Sequence, residues 1–421
     1  MLLIKNISQL VKVGDSSPKV GPQMGELEVI DDAYLVINDG KIVDFGKSKL
    51  LNNEYKFAKV LDVQKKVVLP GFIDPHTHFV FAGDRSEEFK MRLKGIPYID
   101  ILKKGGGILS TVKATREISF NKLLEISSKR LDAFLSYGVT TLEGKSGYGL
   151  DKKTEIKQLQ VMNQLNKRAD IDIISTYLGA HAVPKEYEND SDSYVDYIIK
   201  EVIPLIADEN LAEFCDVFCD EGAFNYQQSK KLLKFAAELD FELKIHADEI
   251  INTGATQLAG ELKAVSADHL LKTSKKGLTS LKKNNVIAVL LPLTAFSLQE
   301  EYADARKMIE MGIPVALATD LNPGSSYSQS IPLLLSLAVM YMNMSPEEAI
   351  NALTINAACA LNKEKEVGSI EIGKKADLLI IDAPHYNHLF YNFSVNLVQK
   401  VFKNGKLVFN NDLKNRKIKG D

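Results

Sequence analysis

Two histidines, His76 and His78, are separated by one residue in the segment 70–78, which reads PGFIDPHTH. On an extended segment, side chains two positions apart project to the same side of the chain. Two imidazoles placed in this way can bind one cation, and neutral imidazole nitrogens suit zinc or iron(II). A chance pair of loop histidines is the alternative, so further ligands must be sought elsewhere in the sequence.

A third histidine and an aspartate extend this pair to a possible catalytic metal site. His246 follows one apolar run of the sequence, and Asp320 follows another. Three imidazoles and one carboxylate leave a position for water, which is typical of catalytic rather than structural metal ions. Asp320 could instead be a turn residue, but with the histidines we expect a metal ligand that also accepts a proton.

Three further side chains near the ends of apolar runs could act on a substrate. Glu249 comes three residues after His246 and could donate a proton to a leaving nitrogen. The alternative for Glu249 is a helix N-terminus, where the macrodipole favours an acidic side chain. His181 could donate the same proton, and His269 could stabilise a developing oxyanion.

The segments that must position these residues alternate between short β-rich runs and longer amphipathic stretches. We expect eight strands, at residues 68–73, 140–143, 171–178, 215–219, 242–245, 264–267, 286–291 and 315–318. We expect helices at stretches that include 120–137, 154–168, 227–239 and 303–311. This alternation favours an α/β fold with a closed (β/α)₈ TIM barrel, whose active site forms at the C-terminal ends of the strands. An open doubly wound sheet is the alternative, but no glycine-rich dinucleotide motif follows an early strand.

Both ends of the chain have a different pattern, with short strands joined by tight turns. Residues 34–45 predict a hairpin that turns at Asp39 and Gly40, and residues 401–409 predict another that turns at Asn404 and Gly405. We therefore expect a small β-sandwich domain from residues 1–66 and 365–421, and a barrel domain over residues 67–364.

The composition argues against several classes of protein. The chain has 421 residues, of which 45% are hydrophobic and 25% are charged, an ordinary globular mixture. Its 52 basic and 55 acidic side chains give a net charge of −3, which argues against a nucleic-acid partner. Three cysteines fit a reducing compartment, and no apolar run approaches the roughly 20 residues of a membrane span. We expect a cytoplasmic protein with no membrane partner.

These motifs resemble the amidohydrolase superfamily, and the resemblance runs over essentially the whole chain. It rests on the segment 70–78, on His246, His269 and Asp320, and on the closing segment 368–378, GSIEIGKKADL. Four other stretches are similar to one subfamily: 81–85, FAGDR; 105–108, GGGI; 143–149, EGKSGYG; and 179–181, GAH. The resemblance implies a homodimer of barrels, each with one bound zinc or iron ion.

The resemblance also implies a reaction, in which water hydrolyses the cyclic amide 4-imidazolone-5-propanoate to N-formimidoyl-L-glutamate during histidine degradation. The implied metal ligands are His76, His78, His246 and Asp320. The implied substrate contacts are Arg85, Tyr148, His181 and Glu249, with Asn322, Gly324 and Ser325 near the product. Arg85 could bind the propionate through two charge-assisted hydrogen bonds, although a surface salt bridge is the alternative.

Two other functions stay open at this stage. A deaminase of a heterocyclic base in the same superfamily would also have His-x-x-Glu after the fifth strand, but Arg85 and Tyr148 favour an anionic substrate. A non-catalytic scaffold would have lost metal ligands, and this sequence keeps all four. Lys145 resembles the carbamylated lysine of relatives with two metal ions, but it follows the second predicted strand rather than the fourth. We therefore expect one metal ion.

Overall fold

The computed structural model describes residues 1–96 and 106–412, which form fifteen strands in two separate sheets. The strands are β1 (Leu2–Val11), β2 (Val29–Asn38), β3 (Lys41–Lys47), β4 (Lys59–Pro70), β5 (Phe72–Asp74), β6 (Val139–Lys145), β7 (Asp172–Ala180), β8 (Phe214–Cys219), β9 (Glu242–Ala247), β10 (Ser266–His269), β11 (Ile287–Leu290), β12 (Val315–Leu317), β13 (Leu378–Ile381), β14 (Val398–Lys403) and β15 (Lys406–Asn410).

Helices connect the strands of the larger sheet and cover its outer face. The α-helices are α1 (Ser86–Leu93), α2 (Ile108–Glu117), α3 (Phe120–Ser136), α4 (Lys152–Asn166), α5 (Ser191–Tyr197), α6 (Ile203–Asp208), α7 (Tyr226–Glu238), α8 (Ala255–Leu262), α9 (Lys275–Asn284), α10 (Pro292–Leu298), α11 (Ala305–Glu310), α12 (Ile331–Tyr341), α13 (Pro346–Ala352), α14 (Ile355–Cys359) and α15 (His388–Tyr391). Within the described ranges, no helix is both long enough and apolar enough to cross a membrane.

The larger sheet is the predicted (β/α)₈ barrel. Strands β5 to β12 lie in chain order and pair in parallel. Hydrogen bonds between the loops that follow β5 and β12 join the two ends of this sheet. The Asp320 amide donates to the His76 carbonyl over 3.0 Å, and the His78 amide donates to the Leu321 carbonyl over 2.9 Å. The closure therefore brings the two loops with predicted metal ligands together.

The predicted first strand, residues 68–73, is divided between the two sheets. Strand β4 ends at Pro70 in the smaller sheet, and β5 begins at Phe72 in the barrel. Gly71 makes this transition possible, because a Cβ at this position would lie 2.1 Å from Oγ1 of Thr140. The prediction of one continuous strand over residues 68–73 is therefore wrong. The other seven predicted strands differ from the observed ones only near their ends.

The smaller sheet contains seven strands from both chain ends, in the order β15-β14-β13-β4-β1-β2-β3. Both predicted hairpins are present, and φ is positive at Asp39, Gly40, Asn404 and Gly405, as tight two-residue turns require. Because β4 pairs with both β1 and β13, strands from the two chain ends join in one sheet, as the predicted terminal β domain requires. The domain division at residue 66 stays a prediction, since β4 continues past this position.

Candidate metal centre and active site

The four predicted metal ligands lie together at the C-terminal end of the barrel. Asp320 Oδ1 is 3.5 Å from His76 Nε2 and 3.6 Å from His78 Nε2, and His246 Nε2 is 3.4 Å from His78 Nε2. Four ligand atoms about 2.1 Å from one tetrahedral zinc ion would be separated by about 3.4 Å. The donor atoms therefore have the spacing that one small cation requires.

Burial keeps the histidines of this cluster in the form that binds metals. Desolvation lowers the pKa of His76 and that of His78 well below the usual histidine value, so both rings are neutral. A neutral imidazole has a lone pair available for a cation. In the part of the chain that the structure describes, Nε2 of His76 is buried without a hydrogen-bond partner. A cation among the four ligands would satisfy this atom.

Two carboxylates that the sequence analysis missed lie against the opposite side of these rings. Asp268 Oδ2 lies 2.6 Å from His76 Nδ1, and Asp216 Oδ2 lies 2.9 Å from His246 Nδ1. Such carboxylates fix the tautomer and the orientation of a metal-binding imidazole. The signal that could have found Asp216 is an acidic residue inside the apolar run 215–219, where an unpaired charge would be costly.

Thr294 is a third residue that the sequence analysis missed, and it holds Asp320. Its hydroxyl donates to Oδ2 of Asp320 over 2.6 Å, while Oδ1 of the same carboxylate is directed at the histidines. Asp320 has a φ of +51°, which is uncommon for a residue with a side chain. The surrounding hydrogen bonds therefore determine where this carboxylate points.

Glu249 and His269 lie beside the ligands, in a cavity of about 370 Å³. Glu249 Oε1 is 3.5 Å from His269 Nδ1. Burial, and then the charge of Asp320, raises the pKa of Glu249 to about 8. Glu249 therefore takes up a proton more readily near neutral pH than an exposed glutamate does. It lies in a loop after β9 and not at a helix N-terminus, and Asp220 accepts a 2.7 Å hydrogen bond from its amide.

His181 lines the same cavity, but its surroundings differ from those of Glu249. Its ring is stacked on that of His78, with centroids 5.0 Å apart, and its Nδ1 is 3.1 Å from the Gly147 carbonyl. Burial, and then the nearby His246, lowers the pKa of His181 to about 3. The ring is neutral, and the Gly147 carbonyl accepts its Nδ1 hydrogen, which leaves no proton on Nε2.

Arg85 reaches the cavity from the loop before α1. Its Nε donates to Oε2 of Glu88 over 2.8 Å. Its guanidinium lies so close to Gly324 that a Cβ there would be 2.4 Å from Nη1. Glu88 therefore engages the Nε edge of the guanidinium, and the Nη groups lie beside the cavity wall where an anion could bind.

Comparisons with known proteins agree with this geometry. The model of the Amidohydrolase family matches residues 67–408. The chain is 50% identical over 410 residues to the imidazolonepropionase of Clostridium tetani, a match that covers 97% of this chain and 98% of that protein. It is 48% identical over 410 residues to the imidazolonepropionase of Alkaliphilus oremlandii, covering 96% and 97%. The chain belongs to the imidazolonepropionase family of amidohydrolases.

A solved structure with the same fold contains a metal. The adenosine deaminase from Xanthomonas campestris, with bound zinc, has a TM-score of 0.72 to this chain at 17% identity, and the match covers 96% and 92% of the two chains. At 17% identity, this similarity shows only that the two proteins share a fold. Amidohydrolase relatives bind metal ions, and this member of the imidazolonepropionase family has a histidine and aspartate cluster that could hold one.

The remaining predicted contacts of this imidazolonepropionase-family chain also line the cavity: Tyr148, Asn322, Gly324 and Ser325. Asn322 shapes the loop, because its Oδ1 accepts hydrogen bonds of 2.8 Å from the amides of Gly324 and Ser325. The ring of Tyr148 lies 5.4 Å from that of His181. Of the family-like stretch 105–108, Gly105 lies outside the described residues.

Proposed function

We propose that this protein hydrolyses the ring amide of 4-imidazolone-5-propanoate to N-formimidoyl-L-glutamate in histidine degradation. The proposal includes one zinc or iron ion, held by His76, His78, His246 and Asp320. The observation that carries it is the convergence of three imidazoles and one carboxylate, in which Asp320 contacts His76 and His78 and His246 contacts His78 over 3.4–3.6 Å, in a chain 50% identical to an imidazolonepropionase. A bound divalent ion supplies Lewis-acid activation of water at neutral pH.

Asp320 and Glu249 divide the proton transfers. Asp320 lies among the ligands and accepts the proton of the attacking water. Glu249, in its protonated form, donates its proton to the departing ring nitrogen. We favour Glu249 over His181 for this step, because neutral His181 directs its one N–H hydrogen to Gly147.

Two other side chains orient the substrate and stabilise charge. His269 lies beside Glu249 and Asp320 at the same cavity, where a ring N–H can stabilise the negative charge that develops on the carbonyl oxygen. Arg85 binds the propionate in the wall of the same cavity, next to Gly324. A fixed propionate places the ring carbonyl near the reacting water, which lowers the barrier as well as improving binding.

The direct test is a turnover assay on freshly prepared 4-imidazolone-5-propanoate, with metal analysis of the same sample. We expect N-formimidoyl-L-glutamate to form, with about one zinc or iron ion per chain. Faster turnover of an uncharged aminated base would contradict the substrate and support a deaminase. The metal content would also decide between zinc and iron, since imidazole and carboxylate ligands accept both.

Substitution of Arg85 by Met should lower kcat/KM for the acid substrate more than for a neutral analogue. Losing a hydrogen bond to a charged group costs about 1.5–3 kcal/mol, which corresponds to a loss of roughly 10-fold to 150-fold in kcat/KM. The measurement compares the acid with its neutral propionamide analogue, which already lacks the charge and should lose much less. Equal losses on both substrates would mean that Arg85 only supports its loop through Glu88.

Substitution of Thr294 by Val should lower kcat more than it changes KM. The variant removes the 2.6 Å hydrogen bond that directs Asp320 Oδ1 toward the histidines, and we expect kcat to fall roughly tenfold. Thr294→Ser is the matched control, because it keeps the hydroxyl and should keep kcat. If the serine variant loses as much activity as the valine variant, the threonine acts through packing.

We also propose a cytoplasmic homodimer. The three cysteines are free and buried, which suits a reducing compartment. Light scattering of the purified protein tests the oligomeric state, and a monomer at working concentrations would contradict the dimer.

A further inference from the structure

A cluster of charged side chains lies next to the ligands and has no part in the proposed reaction. It contains three carboxylates and two ammonium groups, all with fully buried side chains: Glu143, Asp216, Asp268, Lys145 and Lys244. A buried charge is costly unless it is paired. Each charge in this cluster therefore depends on the partners that it contacts directly.

Lys145 contacts all three carboxylates of the cluster. Its Nζ lies 2.7 Å from Oδ2 of Asp216, 3.1 Å from Oε1 of Glu143 and 3.4 Å from Oδ2 of Asp268. These contacts need a cationic ammonium group, so Lys145 is not the carbamylated lysine of relatives with two metal ions. Lys145 is the last residue of β6, and its ammonium group lies between Asp216 of β8 and Asp268 of β10.

On Asp216 and on Asp268, the oxygen atom that Lys145 contacts also faces a proposed ligand. Oδ2 of Asp216 is 2.9 Å from His246 Nδ1, and Oδ2 of Asp268 is 2.6 Å from His76 Nδ1. The other oxygens of these carboxylates have separate partners: the Val217 amide donates to Asp216 Oδ1 over 2.7 Å, and the Ser266 hydroxyl donates to Asp268 Oδ1 over 2.6 Å. One ammonium group therefore bridges the carboxylates behind two ligands.

We propose that Lys145 is a positioning residue that sets the affinity of the site for its divalent cation. It holds Asp216 and Asp268 at the distances that direct Nε2 of His246 and of His76 toward the common centre. The inference rests on the proposed metal site, but it does not depend on the proposed substrate.

Lys244 provides a matched control within the same cluster. Its Nζ lies 3.1 Å from Oε2 of Glu143 and 3.4 Å from the Pro75 carbonyl. Among the hydrogen bonds and ion pairs of the described residues, none joins Lys244 to Asp216 or Asp268. Lys244→Met therefore removes a buried ammonium group, as Lys145→Met does, but leaves the bridge between the two carboxylates in place.

The test measures the zinc Kd of the purified, metal-stripped full chain by competition with a chromophoric chelator, together with the Tm. We expect Lys145→Met to weaken zinc binding roughly 10-fold to 100-fold, the usual effect of losing a group that supports metal ligands. Both methionine variants should have a lower Tm, but Lys244→Met should weaken zinc binding much less than Lys145→Met does.

A Kd of Lys145→Met equal to that of the wild type would overturn the proposal, as would an equal loss of affinity in Lys244→Met. If Lys145→Met does not fold, Lys145→Gln takes its place with the same expected loss, because it is neutral and similar in length. A wild-type protein that binds no zinc or iron would contradict the proposed function instead, so the two failures are distinguishable.

Discussion

Removal of the metal ion is expected to abolish hydrolysis and to leave the fold intact. Asp320 Oδ1 lies within 3.6 Å of Nε2 of His76 and of His78, and His246 Nε2 lies 3.4 Å from His78 Nε2, so these donors can share one cation, which the proposed activation of water needs. The barrel itself is closed by backbone hydrogen bonds, such as that from Asp320 to His76, which do not involve a metal. Chelation should therefore remove activity while the far-ultraviolet circular dichroism stays nearly unchanged, and added zinc or iron should restore turnover.

His76→Ala should reduce metal occupancy and activity together, since it removes one of the four donors. His385→Ala is the matched control, because His385 lies in the loop after β13, away from the barrel ligands. Metal analysis and turnover are measured on the same samples. Full activity in protein verified to be free of metal would contradict a catalytic ion.

Glu249→Gln and Asp320→Asn are expected to lower kcat by at least the roughly 100-fold that is typical of general acid–base groups. Each substitution keeps the size of the side chain but removes the ability to transfer a proton. Turnover with saturating substrate measures the effect, and metal analysis shows whether Asp320→Asn also loses its ion. If Glu249→Gln retains the wild-type kcat, Glu249 is a positioning residue and His181 becomes the preferred acid.

The pH dependence of kcat tests the same two roles. Glu249 acts in its protonated form, and burial followed by the charge of Asp320 raises its pKa to about 8. The rate should therefore fall as the pH rises through about 8, and Glu249→Gln should remove this dependence. Asp320 acts as a carboxylate, so protonation of this ligand at low pH should also lower the rate.

Local patterns in the sequence were sufficient to predict most of the fold and the candidate ligands. The spacing of His76 and His78 along one extended segment determines that both rings can face the same side. The alternation of apolar runs with amphipathic stretches is a local pattern that can be read along the sequence. The alternating strands and helices of the barrel were therefore predictable. Likewise, Asp39 and Gly40 tolerate the positive φ of a tight turn whatever surrounds them.

Contacts between distant strands were decided only by the tertiary structure. Asp268 lies 192 positions from His76 in the sequence, and Thr294 lies 26 positions from Asp320. The residues next to a threonine or aspartate in a strand or helix do not indicate which distant side chain it will contact. The division of the run 68–73 at Gly71 likewise depends on the close approach of Thr140 from another strand.

The chemistry of the site therefore depends on two things: the types of its residues and the geometry in which the fold places them. The sequence by itself determined which side chains can bind a cation or move a proton, because these properties belong to the residue type and its near neighbours. The tertiary structure decided the distances between them, the burial that raises the pKa of Glu249, and the bridge from Lys145 to Asp216 and Asp268. The physical reason is that barrel closure sets the separation of side chains on different strands, and exclusion of water sets the strength of their interactions.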